Sequence, residues 1–322
     1  MESYPIRTDL ALESQECLKR DRGNVRGIRF FEEKRKNGII VSTVVIDTEN
    51  AAKAMGRPKG TYVTIEAPEM IEEDAGYHRD ISMELAKILR DMLPKSKFPK
   101  ISENMETGID VSVLVVGLGN REVTPDALGP KVVDNMFITR HIMNEFGRYA
   151  FSDENVSRIS GIVPGVMAQT GMECVEILKG IVDNIHPKLL IVIDALASRS
   201  IDRISSTIQI SDTGIVPGAG VGNTRQEISQ TTLGIPVIAL GIPTVVELAT
   251  LVSDGIDIFI DRLQEKAESN EYLNKLQQND KYEEVKEALN VGDYNMIVTP
   301  KEIDDLIENM KDIVARGINF AV

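Results

Sequence analysis

Tryptophan is absent from this 322-residue chain, and aromatic residues make up only 5% of it. The interior must therefore be filled by Ile, Val, Leu, Ala and Met. Cysteine occurs twice, at Cys17 and Cys174, too few for a disulfide framework and consistent with a reducing compartment. Histidine occurs three times, at His78, His141 and His186, and none sits in an H-E-x-x-H pair. No apolar run approaches ~18 residues, and the first twenty residues hold no apolar stretch of signal-peptide length. A soluble, cytoplasmic protein without membrane attachment is expected. Basic residues are in deficit, 36 Lys and Arg against 50 Asp and Glu, for a formal charge of −14. That balance argues against direct binding to nucleic acid, which needs a basic footprint.

What is present is a chain 42% hydrophobic and long enough for a sizeable core. Residues 1–26 are polar and mixed, and read as an extended leader. Residues 27–47 read as a β-hairpin turning at "KNG", and "TYVTIE" (61–66) as a further strand after "GRPKG". Apolar positions over 78–93 recur at helical spacing. Three continuous apolar runs follow: "VSVLVV" (111–116), "LLIVI" (189–193) and "IPVIAL" (235–240). Runs apolar on both faces suit parallel strands covered by helices. Helices are expected over 131–146, 168–183 and 244–263. The alternation predicts an α/β fold, a mostly parallel sheet flanked by helices with an N-terminal β-hairpin region. The charged stretch 264–291 reads as a solvated helical excursion. "TPKE" (299–302) predicts a capping box, with Thr299 as N-cap, opening a last helix over 299–318.

Two carboxylates stand out by position. "GLGNREVTPDALGP" (117–130) follows an apolar strand and carries Asp126 between a proline and a glycine–proline break. It is not a dinucleotide fingerprint, because Glu122 occupies the third glycine position. Asp194 ends the run "LLIVID". In open α/β sheets ligands bind outside the carboxyl ends of strands, so the two acids could meet in one crevice. A close carboxylate pair splits its proton affinities, and one ionised with one protonated acid can activate a water. Each acid alone has a plainer reading, Asp126 as a helix N-terminal acid and Asp194 as a turn acid. "GIVPGAGVGNTR" (214–225) lacks the ending of a phosphate loop and reads as a tight turn. Asp212, in "SDTG", shares a triplet with two-lobed all-β proteases, but one copy in an α/β pattern reads as a turn. Cys174 and His141 sit at helical spacing as packing or surface residues, and no G-x-S-x-G elbow is present.

Taken together, "IRTDLALE" (6–13), "GTYVTIE" (60–66), "VVGLGN" with "VTPDALGPKVVDN" (115–135), "GIVPGVMAQTGME" (161–173), "IDALASRSIDR" (193–203), "TIQISDTGIVPGAGVGN" (207–223), "TLGIPVIALGIPTVV" (232–246) and "MIVTPKEID" (296–304) resemble the germination proteases of endospore-forming bacteria. The resemblance implies an endopeptidase that cleaves small acid-soluble spore proteins and is made in the forespore as a self-processing zymogen. It implies a homotetramer, and a fold similar to that of hydrogenase maturation proteases. Asp126 and Asp194 match the family's two essential aspartates. "TDLALE" (8–13) mimics the family's substrate, which predicts self-cleavage between Asp9 and Leu10. Residues 1–9 are then a propeptide and 10–322 a single peptidase domain. The maturation proteases hold a metal with two acids and a later histidine. Every histidine here precedes Asp194, so no metal or other cofactor is expected. Arg199 and Arg203, four residues apart, are candidates for pairing with substrate carboxylates, or else surface salt bridges. A metal-assisted maturation protease and a non-catalytic binding protein on the same scaffold are the competing readings.

Overall fold

The apolar runs become neighbouring strands of one sheet. The computed structural model describes residues 8–72, 74–93, 112–147, 150–151, 156–219, 225–266 and 296–322. Among them lie nine strands: β1 (Ile28–Lys34), β2 (Ile40–Ile46), β3 (Gly60–Glu66), β4 (Ser112–Gly117), β5 (Arg158–Ile162), β6 (Leu189–Ser198), β7 (Thr207–Ser211), β8 (Val237–Glu247) and β9 (Ile297–Val298). Their order is β1-β2-β3-β7-β8-β6-β4-β5, with β9 pairing to β8. The four strands β5, β4, β6 and β8 are parallel, and their β6 run Leu189–Ile193 is fully buried. Burying each such side chain contributes roughly 1.5–3 kcal/mol. The hairpin strands and β7 extend this unit antiparallel, through β3 on β7 and β7 on β8.

Helices cover both faces. On one, α3 (Ala75–Met92), α4 (Leu128–Asp134) and α10 (Ile303–Ala321) bury Ile81, Leu85, Leu128, Val132, Ile307 and Val314 against the sheet. On the other, α7 (Cys174–Ile185) and α8 (Gln230–Leu233) pack Val175, Leu178, Val182 and Leu233 onto Leu114, Val116, Leu190 and Val192. On this second face α1 (Ala11–Arg22) and α2 (Glu49–Met55) cover β2 and β3 through Leu18, Val44, Ile46, Met55 and Tyr62. The parallel order β5-β4-β6-β8 puts α4 and α7, the helices on either side of β5 in the chain, on opposite faces. A crevice therefore opens between the carboxyl ends of β4 and β6, the switch point where α/β sheets take ligands.

Several boundaries differ from the expectations, each for a local reason. The leader is not extended throughout: residues 11–22 are the helix α1, and its N-cap Leu10 and first residue Ala11 are fully buried. The expected helix 131–146 is two, α4 and α5 (Arg140–Phe146), because buried Thr139 leaves the helix to bond β5. Likewise 168–183 divides into α6 (Met167–Thr170) and α7 at Gly171, which has φ +72°. Residues 244–247 continue strand β8 rather than opening a helix, and α9 (Leu248–Lys266) begins only after them. A central-strand proline, Pro243, is accommodated by a bulge where β6 and β8 slip register between Leu196 and Ala197. Thr299 does not cap the last helix; its hydroxyl donates to the Thr244 carbonyl at 2.9 Å, and the helix starts at Ile303. The hairpin turns as expected at Lys36–Gly38, with Asn37 at φ 58°. The charged stretch 264–291 lies outside the described residues, except for the last turn of α9.

Candidate active site

Strand β4 ends at Gly117, and Leu118 carries its ladder one step further by donating to the Ile193 carbonyl at 2.8 Å. The chain must then reverse. Gly119 does so at φ +111°, where a Cβ would collide with the Asp126 carbonyl and stand 3.0 Å from Asp126 Oδ1. Gly129 faces the backbone of Leu118 and Ile193 with equally little room, so α4 starts hard against the two strand ends. These glycines answer to close backbone approach and not to phosphate. The returning loop presents Asp126, whose Oδ2 accepts the Asn120 N–H at 2.7 Å. The bulge residue Thr244 donates to the Pro125 carbonyl at 2.7 Å and fixes the loop from the other side.

Asp194 continues β6 past the end of β4 and is 6% exposed. Its Oδ1 accepts only the N–H of Ala195, at 3.0 Å, among its described contacts. Asp126 and Asp194 line one cavity of about 410 Å³, together with Asp9, Asn120, Cys174 and Arg225. Burial raises the Asp126 carboxyl, and the Asn120 N–H opposes the rise. Asp194 is pushed well above the ordinary carboxylate range, first by burial, then by the negative charge of Asp126 and of Asp9. The arrangement thus favours a proton on Asp194 and charge on Asp126. Cys174 donates to the Gly165 carbonyl at 3.4 Å, and burial raises its thiol, which disfavours a thiolate nucleophile.

The leader enters this cavity. Asp9 donates its N–H to the Ala197 carbonyl at 2.9 Å, and its carboxylate accepts the Ala197 N–H at 2.9 Å. The Thr8 carbonyl accepts from Arg57 at 2.8 Å, and the Asp9 carbonyl from Gln209 at 2.7 Å. Buried Glu13 accepts the N–H groups of Arg199 and Ser200 and anchors α1 beyond the end of β6. The two basic candidates lie outside the cavity lining. Arg199 pairs with Asp254 at 2.5 Å, while Arg203 reaches Glu13, Glu16 and Glu66 at 3.5, 2.7 and 3.2 Å. Among the described residues, the cation that does line the cavity is Arg225. Its signal in the sequence is its isolation, as the one basic residue between Arg203 and Arg262. Asp212 is a turn acid that accepts the Thr61 N–H at 2.8 Å. The histidines lie elsewhere: His78 against the Met70 carbonyl, His141 exposed on α5, His186 at the end of α7.

Fold and site together define an α/β protein with a buried acid, Asp194, and a half-buried one, Asp126, in one cavity at the switch point of its parallel strands. Comparison with known proteins then gives the family. The profile described as germination protease matches residues 7–272 and 264–322. A germination protease of Caldanaerobacter subterraneus subsp. tengcongensis is 46% identical over 98% of this chain and 94% of its own length. That of Clostridium perfringens (strain ATCC 13124) is 44% identical over 99% and 95%. This chain belongs to the germination protease family, and is a protease of the kind that acts in spore germination. Among solved structures, a [NiFe] hydrogenase maturation protease, HycI from Thermococcus kodakarensis KOD1, overlaps 42% of this chain and 74% of its own at a TM-score of 0.27 and 16% identity. That overlap is too slight to bear on function, and the fold assignment rests on the sheet itself. No described helix is long and apolar enough to cross a membrane.

Proposed function

We propose that this chain is the endopeptidase that opens the degradation of small acid-soluble spore proteins at germination, with Asp126 and Asp194 jointly activating a water. The observation that carries the reading is the shared cavity, in which both acids and Asp9 of the substrate-like leader stand together. Ionised Asp126 takes a proton from water as it attacks the carbonyl carbon. Protonated Asp194 polarises the carbonyl and then supplies its proton to the leaving nitrogen. No covalent intermediate is required.

The same reading makes the chain a zymogen that cuts itself between Asp9 and Leu10, the leader filling the crevice until then. The Asp9 carboxylate held by the Ala197 N–H supports a preference for an acid before the cleaved bond. Recognition of substrate acids by Arg199 or Arg203 requires one guanidinium to exchange its present partners. Comparing cleavage of Glu- and Gln-containing peptides by Arg199→Gln and Arg203→Gln tests that step. Assembly into a homotetramer in the spore core belongs to the reading as well. Edge strand β1, which exposes Phe30 and Phe31, offers a surface for it, and light scattering checks the mass.

The decisive experiment incubates the protein with a purified small acid-soluble spore protein, with chelator and without. Cleavage in both, with Leu10 at the new amino terminus of the enzyme, is expected. Cleavage only after metal is added favours the maturation-protease reading, and binding without cleavage favours a carrier.

A further inference from the structure

Gln209 is a polar side chain on an interior strand, and no role for it follows from the aspartate pair. It lies on β7 opposite Gly241 of β8, which in turn lies opposite Asp194 of β6. Paired residues of adjacent strands project to the same face, so Gln209 and Asp194 point the same way across a residue without a side chain. Their backbones stand roughly 9.5 Å apart, two strand spacings. The neighbours Ile208 and Ile210 point into the opposite core, which fixes the direction of Gln209. A smaller cavity, about 140 Å³, is bordered by Gln209, Gly241, Arg57, Leu196 and Asp9. Asp9 and Leu196 also border the larger cavity with the acids, so the leader lies between Gln209 and the aspartates.

Both ends of the Gln209 amide are engaged there. Nε2 donates to the Asp9 carbonyl at 2.7 Å, and Oε1 accepts the Ala11 N–H at 2.5 Å. The Asp9 carbonyl belongs to the Asp9–Leu10 peptide bond. The Ala11 N–H is the first donor of α1 without a partner inside the helix, and lies one residue beyond that bond. A single side chain thus grips the polypeptide on either side of Leu10. The grip uses backbone groups alone, so any extended substrate of the same register can replace the leader.

We propose that Gln209 is a catalytic residue that aligns the substrate backbone and, together with Asp194, polarises the carbonyl of the bond being cut. This inference rests on the reading that Asp9–Leu10 occupies the crevice as a substrate does. Water oxygen bonds to the carbonyl carbon, and its proton passes to ionised Asp126. The C=O electron pair moves onto the oxygen, where the Nε2–H meets the developing charge. When the C–N bond breaks, the nitrogen takes the Asp194 proton, leaving a carboxyl and an amine. A neutral amide suits this site, because a further cation beside Arg57 and Arg225 would lower the affinity of Asp194 for its proton.

The test uses the processed enzyme beginning at Leu10 and a synthetic peptide of residues 4–16, so that retention of the leader plays no part. Gln209→Met removes donor and acceptor at similar length, and Gln209→Glu keeps length and acceptor but loses the donor at neutral pH. Both are expected to lose about 10²-fold in kcat. KM should change by less than about threefold in Gln209→Glu and rise more in Gln209→Met. A kcat within threefold of wild type in either folded variant overturns the proposal and leaves Gln209 as a clasp for the leader. Thermal melts identify a variant that does not fold, and the other then decides. Asp126→Asn is run alongside: activity there sinks the aspartate reading, whereas inactivity there with full activity in the Gln209 variants sinks this inference alone.

Discussion

Gly119→Ala should disable the enzyme without unfolding it. The added methyl meets the Asp126 carbonyl oxygen well inside contact distance, and neither partner is the free end of a flexible side chain. The backbone also sits at φ +111°, which alanine adopts only under strain of about 1–3 kcal/mol. Relief requires the Asp126 carbonyl to retreat by on the order of 1 Å, and the carboxylate moves with it. Misplacement of that size in a catalytic group costs on the order of 10²-fold in rate. The expected outcome is therefore a drop of about 10²-fold in kcat/KM on the residue 4–16 peptide, with a cooperative melt retained. Gly38→Ala is the matched control, since Gly38 has φ +74° in the exposed hairpin with nothing within 4 Å. It carries the strain without the collision and should lose some stability and no activity. Full activity in Gly119→Ala refutes the view that this glycine positions Asp126.

Three further outcomes follow from the site. Asp194→Asn should raise the melting temperature above pH 7, because an acid whose affinity for protons is raised by folding destabilises the native state as pH climbs through that raised value. The gain, about 2–4 °C for each kcal/mol relieved, should shrink as pH falls and vanish below pH ~3, where the acid is protonated folded and unfolded alike; a gain that grows with acidity contradicts the sign. Self-processing of the wild type should accelerate as pH falls from about 8 to about 6, because the pair then keeps its shared proton; a flat rate contradicts it. Thr244→Val removes the bond to the Pro125 carbonyl and should cost about 0.5–1.5 kcal/mol of stability, seen as a lower denaturation midpoint, with a smaller loss of activity than Gly119→Ala.

Strands that are apolar on both faces announced themselves in the sequence. Val113–Val116 and Leu189–Ile193 needed only their own composition to be placed in a covered parallel sheet, and the acids just beyond them could be put at one edge. What escaped depends on partners distant in the chain. The leader's polar composition hid α1, whose burial is decided by Val44, Ile46 and Tyr62. The apolar residues over 244–247 fit helical spacing, yet they pair with Ala197 and Ser198 and stay extended. Thr299 has the chemistry of an N-cap but bonds Thr244. Arg199 and Arg203 have helix-like spacing, but a strand end and a short turn send them to separate acids. Gln209 looks like any polar residue on a strand until the register sets it level with Asp194.

The most direct test of the central claim is kcat/KM of Asp126→Asn and of Asp194→Asn, each measured on a small acid-soluble spore protein with folding verified by thermal melt. If the two acids share the activation of one water, each substitution removes at least about 10³-fold, and the double variant is scarcely worse than either single one. Substantial proteolysis by either folded single variant would contradict it.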